Sequence, residues 1–175
     1  RSGVFKAEGV TRFVNCSIQG NSAETGGVTL LFSGEILEME NCILWGNSAS
    51  TVPDVYTNTG TALINNSLFV PNQSSGLSSG ADNLSSDPLF IDADGPDNLA
   101  GTEDDDLTLQ VGSPAIDQAS TSVAGYSTTD LYGKVRSGAP DLGAYEYRTN
   151  SAPVIAQGTS ATFSLDEDGS AVVTY

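Results

Sequence analysis

Histidine is missing from this 175-residue chain, and only six Lys and Arg stand against 22 Asp and Glu, a formal net charge of -16. Without His, the imidazole-based nucleophilic triads are excluded. No basic residue lies between Arg12 and Lys134. Binding to nucleic acid or to an anionic membrane needs clustered cations, so neither partner is expected. Two Cys are too few for a disulfide framework. No stretch is apolar for long enough to read as a membrane span, and no charged-then-apolar leader opens the chain. The first residues read as mid-domain strand and the closing "AVVTY" as an unfinished one, so the chain is expected to be a piece of something longer.

What the chain does have is Gly, Ser, Thr, Asn and Asp in quantity, while strong helix formers never gather into an amphipathic run. That composition predicts an all-β fold with frequent turns. The phrase "NCSIQGNSA" at 15–23 returns as "NCILWGNSA" at 41–49, and a weaker copy, "NNSLFVPN", occupies 65–72. Repeats of this length mean stacked units. Within each copy alternate residues share a face: Cys16 with Ile18, Cys42 with Leu44, and, in the third copy, Asn66 with Leu68. Short strands precede the phrases ("TRFV", "ILEME", "TALI"), and "GGVTLLFSG" or "DVYTNTG" falls between them. Three short strands per repeat, joined by Asn- or Gly-rich bends, predict a right-handed parallel β-helix whose rungs pair at ~4.8 Å.

Asparagine at a bend accepts a left-handed backbone, so Asn15, Asn41 and Asn65, spaced by steps of 26 and 24, are expected to form a ladder at one corner. Cys16 should then stand directly above Cys42. Two Cα atoms one rung apart fall within disulfide range, but parallel stacked side chains are poorly aimed for the bond. A buried thiol pair is the expectation, and a disulfide the alternative.

"IQGN" and "LWGN", with "GG" at 26–27, resemble the repeats of chlamydial polymorphic membrane proteins and related secreted bacterial β-helices of the pectin lyase-like kind. From about Ser85 the repeat fails. "DPLF" (87–90), "GSPAID" (112–117) and the closing residues Asp130, Gly133, Arg136, Asp141, Gly143 and Glu146 resemble the carboxy-terminal region of the choice-of-anchor Q family. That resemblance implies a secreted or surface-attached bacterial protein. Physically, such a segment would cap the open end of a β-helix, which otherwise exposes unpaired edges. Leu89, Phe90, Leu107, Leu109 and Ile116 are its expected apolar contacts, and Arg136 its ion-pairing group, with Asp130 or Asp141 as partner. After "YEYRTN", a linker and alternating apolar residues resemble the start of a cadherin-like or immunoglobulin-like module, with Asp166, Glu167 and Asp168 in an acidic turn.

Residues 92–106 carry Asp92, Asp94, Asp97, Glu103, Asp104, Asp105 and Asp106. Seven carboxylates in fifteen residues repel one another, and a hard cation with oxygen ligands would relieve that. Calcium is the expected cofactor, held by Asp92, Asp94 and Asp97 with help from Asp104, Asp105 and Asp106. The spacing is not that of an EF-hand, because Gly95 stands fourth and Pro96 fifth.

Catalysis has little to stand on. A polysaccharide lyase needs a cationic or basic group among its rungs, and none occurs from residue 13 through the repeats. Glu38 and Glu40 share one face at ~7 Å, formally compatible with a glycosidase pair, but alternate polar residues are the default on an outer strand face. Trp45 occupies an outward position, where it would stack on a sugar ring unless a loop such as "STVPDVY" covers it.

These readings divide the chain into β-helix rungs (1–84), an acidic irregular cap (85–148), and a linker with the first strands of a further module (149–175). The expected function is a non-catalytic extracellular or cell-surface stalk or adhesin segment, calcium-stabilised, with a polysaccharide or another surface protein as partner. The alternative is the end of a carbohydrate-active β-helix enzyme, a lyase or glycosidase, whose active rungs lie upstream.

Overall fold

The computed structural model describes residues 9–78, 80–148, 161–165 and 169–173, the last two spans as backbone only. Among the described residues the protein is all-β apart from one 3-10 turn, Pro71–Gln73. Two successive repeats supply β1 (Val10–Val14), β2 (Ser17–Gln19), β3 (Ser22–Ala23) and β4 (Thr29–Leu31), then β5 (Ile36–Glu40), β6 (Ile43–Trp45), β7 (Ser48–Ala49) and β8 (Val55–Thr57). β9 (Thr61–Asn65) opens a third. Each strand pairs in parallel with its counterpart one repeat later: Val10 with Ile36, Ser17 with Ile43, Ser22 with Ser48 and Thr29 with Val55, all 26 residues apart.

Alternation within the strands decides which residues face inward. In β5, Leu37 and Met39 are buried while Ile36, Glu38 and Glu40 are only partly so; in β9, Ala62 and Ile64 take the buried places. One core cluster unites residues of every ladder except β3–β7, including Ile18, Leu31, Leu37, Met39, Leu44, Val55 and Ile64. The sheets therefore share a single interior. Bends between them follow from two residue types. Asn15 and Asn41 adopt φ of 53° and 56°, and Gly20 and Gly46, at the second bend, adopt 69° and 63°. This is the left-handed region that Asn and Gly tolerate best.

The third repeat departs from the expected register. β9 pairs with β5 so that Glu40 faces Asn65, and the left-handed corner falls on Asn66, at φ 45°. The Asn ladder is thus Asn15, Asn41 and Asn66, while Asn65 ends a strand. Alignment by the two preceding strands, "ILEME" over "TALIN", sets this step at 25 residues. The face assignment shifts with it: Ser67 stands over Cys42, donating its hydroxyl to Asn65 O and accepting the Cys42 N–H at 3.0 Å. Phe69 goes to the interior, and Leu68 pairs with Ile43 on the other face. The following turn is shorter still, since Leu68 bridges Leu84 only 16 residues on.

Residues 85–148 form β10 (Phe90–Asp92) and β11 (Asp106–Leu109), an irregular antiparallel hairpin, followed by successive turns. This segment lies along the outer face of the β2–β6 sheet. Ile43 and Leu68 make a second core with Phe90, Leu109, Ala115 and Leu142, and Leu107 and Ile116 pack against it; Leu89 is exposed. The segment was expected to cover the open end of the stack; its apolar contacts run instead along the side of the β2–β6 sheet, where Ile43 and Leu68 need covering. Gly143 N–H donates to Asn41 O at 2.8 Å and Ala144 N–H to Ser17 Oγ at 3.1 Å. β12 (Ala161–Leu165) and β13 (Gly169–Val173) pair antiparallel. The linker over 149–160 and the acidic turn Asp166, Glu167 and Asp168 lie outside the described residues.

Candidate functional site

At the Asn corner the amides are mostly bound. Asn66 Nδ2 donates to Asn41 Oδ1 at 2.7 Å and to Gln118 O at 3.0 Å, and Asn41 Nδ2 donates to Ser120 O at 2.8 Å. Ser120 N–H returns a bond to Asn41 Oδ1 at 2.9 Å. The corner therefore binds the cap as well as itself. Asn15 differs: it is 7% exposed, yet neither its amide oxygen nor its amide nitrogen has a partner.

The residues that resemble the choice-of-anchor Q region converge in space. Arg136 is buried and pairs with Glu146, not with Asp130 or Asp141, at 2.6 Å. Its two terminal nitrogens also donate to Asp141 O at 3.1 Å and Gly143 O at 2.8 Å. The aspartates serve backbone donors instead. Asp130 accepts Lys134 N–H at 2.7 Å and Glu146 N–H at 3.1 Å; Asp141 accepts Asp117 N–H at 2.8 Å and also Tyr147 N–H. Sequence proximity suggested the aspartates, but Asp130 closes its own turn through Lys134 N–H and both aspartates tie together backbone from separate turns. Glu146, with its longer reach, takes the guanidinium. Burial raises the Glu146 carboxyl above its usual range, against the bond from Asp141 N–H and the charge of Arg136, while the Asp141 carboxylate adds to the rise.

The acidic stretch is the β10–β11 hairpin with its long loop. Asp92 and Asp106 are cross-strand partners. Most of these carboxylates bind their own loop: Asp97 Oδ1 accepts Leu99 N–H at 2.8 Å, Asp105 Oδ2 accepts Gly101 N–H at 2.6 Å, and Asp106 Oδ1 accepts Thr108 N–H at 2.9 Å. Thr102 Oγ1 donates to Asp104, which holds the Asp104 carboxyl below its ordinary value. Among the described residues no three acidic or thiol side chains converge in a metal-holding group. A calcium ion would require Asp97, Asp104, Asp105 and Asp106 to turn from these bonds toward a common point.

Cys16 and Cys42 are free thiols, Cys42 buried and Cys16 partly accessible. Cys16 donates to Val14 O at 3.3 Å, and Cys42 to Glu40 O at 3.2 Å. A hydrogen bond from Cys42 brings the Cys16 thiol down to about 7, helped by the bond to Val14 and the charge of Arg136, against burial. Burial pushes Cys42 the other way. Cys16 lines a cavity of about 350 Å³ together with Asn15, Ser127, Asp130, Leu131 and Arg136. A second hollow, about 440 Å³, lies between the outer residues Ser17, Gln19 and Asn21 and the acidic loop at Gly101, Glu103 and Asp105.

Trp45 is half-buried, packed against the second core. Glu38 is engaged by Arg12, whose Nε donates at 2.7 Å across the strand pair. One buried network was not legible from the repeat. Asn47 Oδ1 accepts Asn21 Nδ2 at 3.1 Å, and Asn47 Nδ2 donates to Asp54 Oδ1 at 2.9 Å. Asp54 is wholly buried, and desolvation raises its carboxyl to about 6. The available signal was the recurrence of Asn two residues after Trp45 and Gln19, with one carboxylate seven residues beyond. No protein-family model, curated protein or solved structure matches the chain.

Proposed function

We propose that residues 9–84 are rungs of a right-handed parallel β-helix and that residues 85–148 are a choice-of-anchor Q-like segment packed on its side. The whole would be a non-catalytic structural element, a stalk or adhesin segment displayed outside the cell. The observation that carries this reading is the constant 26-residue offset of four separate parallel ladders. A chain whose first two repeats meet at one interval in four ladders is built by adding repeats, and a stack of repeats gives length and stiffness. The polar groups are spent on holding that stack together: Arg12 on Glu38, Arg136 on Glu146, and the Asn corner on the cap. A polysaccharide or a second surface protein is the partner this surface suits, since neutral or cationic chemistry escapes repulsion by a net charge of -16. Calcium belongs to the same proposal, as a loop stabiliser at Asp92, Asp94, Asp97 and Asp104 to Asp106. Its support is the density of carboxylates, and its cost is the loop bonds that must be given up.

The test is placement and inertness together. Antibody raised against this segment should label intact, unpermeabilised cells of the organism that makes it, and the purified chain should release no reducing ends or unsaturated sugars from a panel of polysaccharides. Labelling that requires lysis would remove the surface role, and turnover would move the chain to the carbohydrate-active alternative.

A further inference from the structure

We propose that Cys16 is a modification site, a nucleophilic thiol presented in the cavity beside Asn15 and Arg136 that takes up a low-molecular-weight peptide disulfide by thiol–disulfide exchange. Three observations meet there. Cys16 is partly accessible and lines a cavity of about 350 Å³, large enough for part of a small peptide. Asn15, on the same wall, is 7% exposed and has both amide atoms without partners, so it offers one donor and one acceptor to the backbone amide of a ligand. Arg136 lines the cavity as well, and its Nε has no partner although its terminal nitrogens are occupied. Unsatisfied buried polar atoms around an accessible cavity call for an occupant that bonds them.

The surroundings favour the thiolate. Cys42 lies beneath Cys16 with its thiol buried, and its S–H, which rests on Glu40 O, can turn toward the Cys16 thiolate once that forms, while Arg136 supplies positive charge; Asp130, the carboxylate on the cavity wall, has both oxygens engaged by Lys134 and Glu146 N–H groups. Cys16 Sγ attacks one sulfur of the incoming disulfide, and a new S–S bond forms as the old one breaks. The departing half leaves as a thiolate with the electron pair and takes a proton from water. Cys16 is oxidised to a mixed disulfide, and the departing half is reduced to a thiol. Cys42, buried and raised, stays a thiol.

Oxidised glutathione serves as the peptide probe and iodoacetamide as a small control of bare reactivity, both on the full chain. Intact-mass and peptide analysis should find one glutathione per chain, on Cys16, and none on Cys16→Ser. The alkylation rate of Cys16 should rise with pH around a midpoint near 7, and Cys42→Ala, which removes the hydrogen-bond donor, should move that midpoint upward. Asn15→Gly keeps the left-handed backbone but loses the amide, and should slow glutathione uptake several-fold more than it changes the iodoacetamide rate. The proposal is overturned if Cys16 alkylates no faster than an unstructured cysteine peptide at neutral pH. It is overturned equally if the product is an internal Cys16–Cys42 disulfide, or if Asn15→Gly leaves uptake of the peptide probe intact. None of these outcomes depends on the stalk reading.

Discussion

Asp54 carries no proton at neutral pH only at the expense of the fold. Its side chain is wholly buried, and desolvation lifts the carboxyl from 3.8 to about 6, against the opposing bond from Asn47. A folded value above the unfolded one means that the native state prefers the acid. That contribution to stability is complete below pH 3.8 and is lost as pH rises through about 6. A rise of about two units corresponds to about 3 kcal/mol. Asp54→Asn cannot ionise, so its stability relative to the parent should improve by about 2–3 kcal/mol between acid and neutral pH, measured as the difference between the two proteins' urea midpoints. A pH-independent difference would show that the carboxylate is hydrated in the native state. Single residues were legible in the sequence to the extent that their neighbours in the chain decided them. Asn15 and Asn41 were readable as corners because a left-handed bend is a local property. Asn66 was not, because "NNS" offers two candidates and the choice is made by the pairing of β9 with β5. The Arg136–Glu146 pair and the Asn21–Asn47–Asp54 network depend on contacts between distant turns, for which spacing gives no measure.

At the scale of elements, the repeat strands were readable from period-two alternation, since Leu37 and Met39 or Ala62 and Ile64 must go inward together. The β10–β11 hairpin was harder, because its loop is defined by carboxylates whose bonds run to the nearest backbone N–H, a choice that composition does not encode. This same loop decides the calcium question. If a cation is bound there, it must stabilise the native state in proportion to its occupancy. Millimolar calcium after chelator should then raise the thermal midpoint by several degrees, and a chain carrying Asp92→Asn, Asp94→Asn and Asp97→Asn should lose that rise. Magnesium at the same concentration serves as the control for simple charge screening, since it demands a smaller, stricter octahedral site. An equal response to both ions, or none to calcium, removes the metal from the proposal and leaves Asp97, Asp105 and Asp106 as closers of turns.

On the scale of the whole molecule, one sheet is shared by two cores. Residues Ile18 and Leu44 of β2 and β6 face the interior, while Ile43 faces outward into the cluster with Phe90, Leu109 and Leu142. The sequence marked Trp45 as outward, and Ile43, two residues before it, shares that face, but whether an outward apolar pair meets solvent, a sugar or the chain's own return is a tertiary fact. Here the return path wins, because an exposed Ile beside an exposed Trp would leave a contiguous apolar patch uncovered. Docking is close at Gly143, whose φ is 84° and whose N–H reaches Asn41 O. A Cβ placed there would stand 2.6 Å from Ser17 Oγ and 2.8 Å from Ile43 Cδ1. Gly143→Ala thus adds overpacking to a left-handed backbone, together on the order of 2–5 kcal/mol. The loss should fall on the joint between the cores. Trp45, the single Trp of the chain, sits at that joint and reports it by fluorescence. In the variant, its emission should shift toward the red at a lower urea concentration than the β-sheet circular dichroism is lost, whereas in the parent the two should coincide. If both signals move together in Gly143→Ala, the repeats have no stability apart from the segment that covers their side.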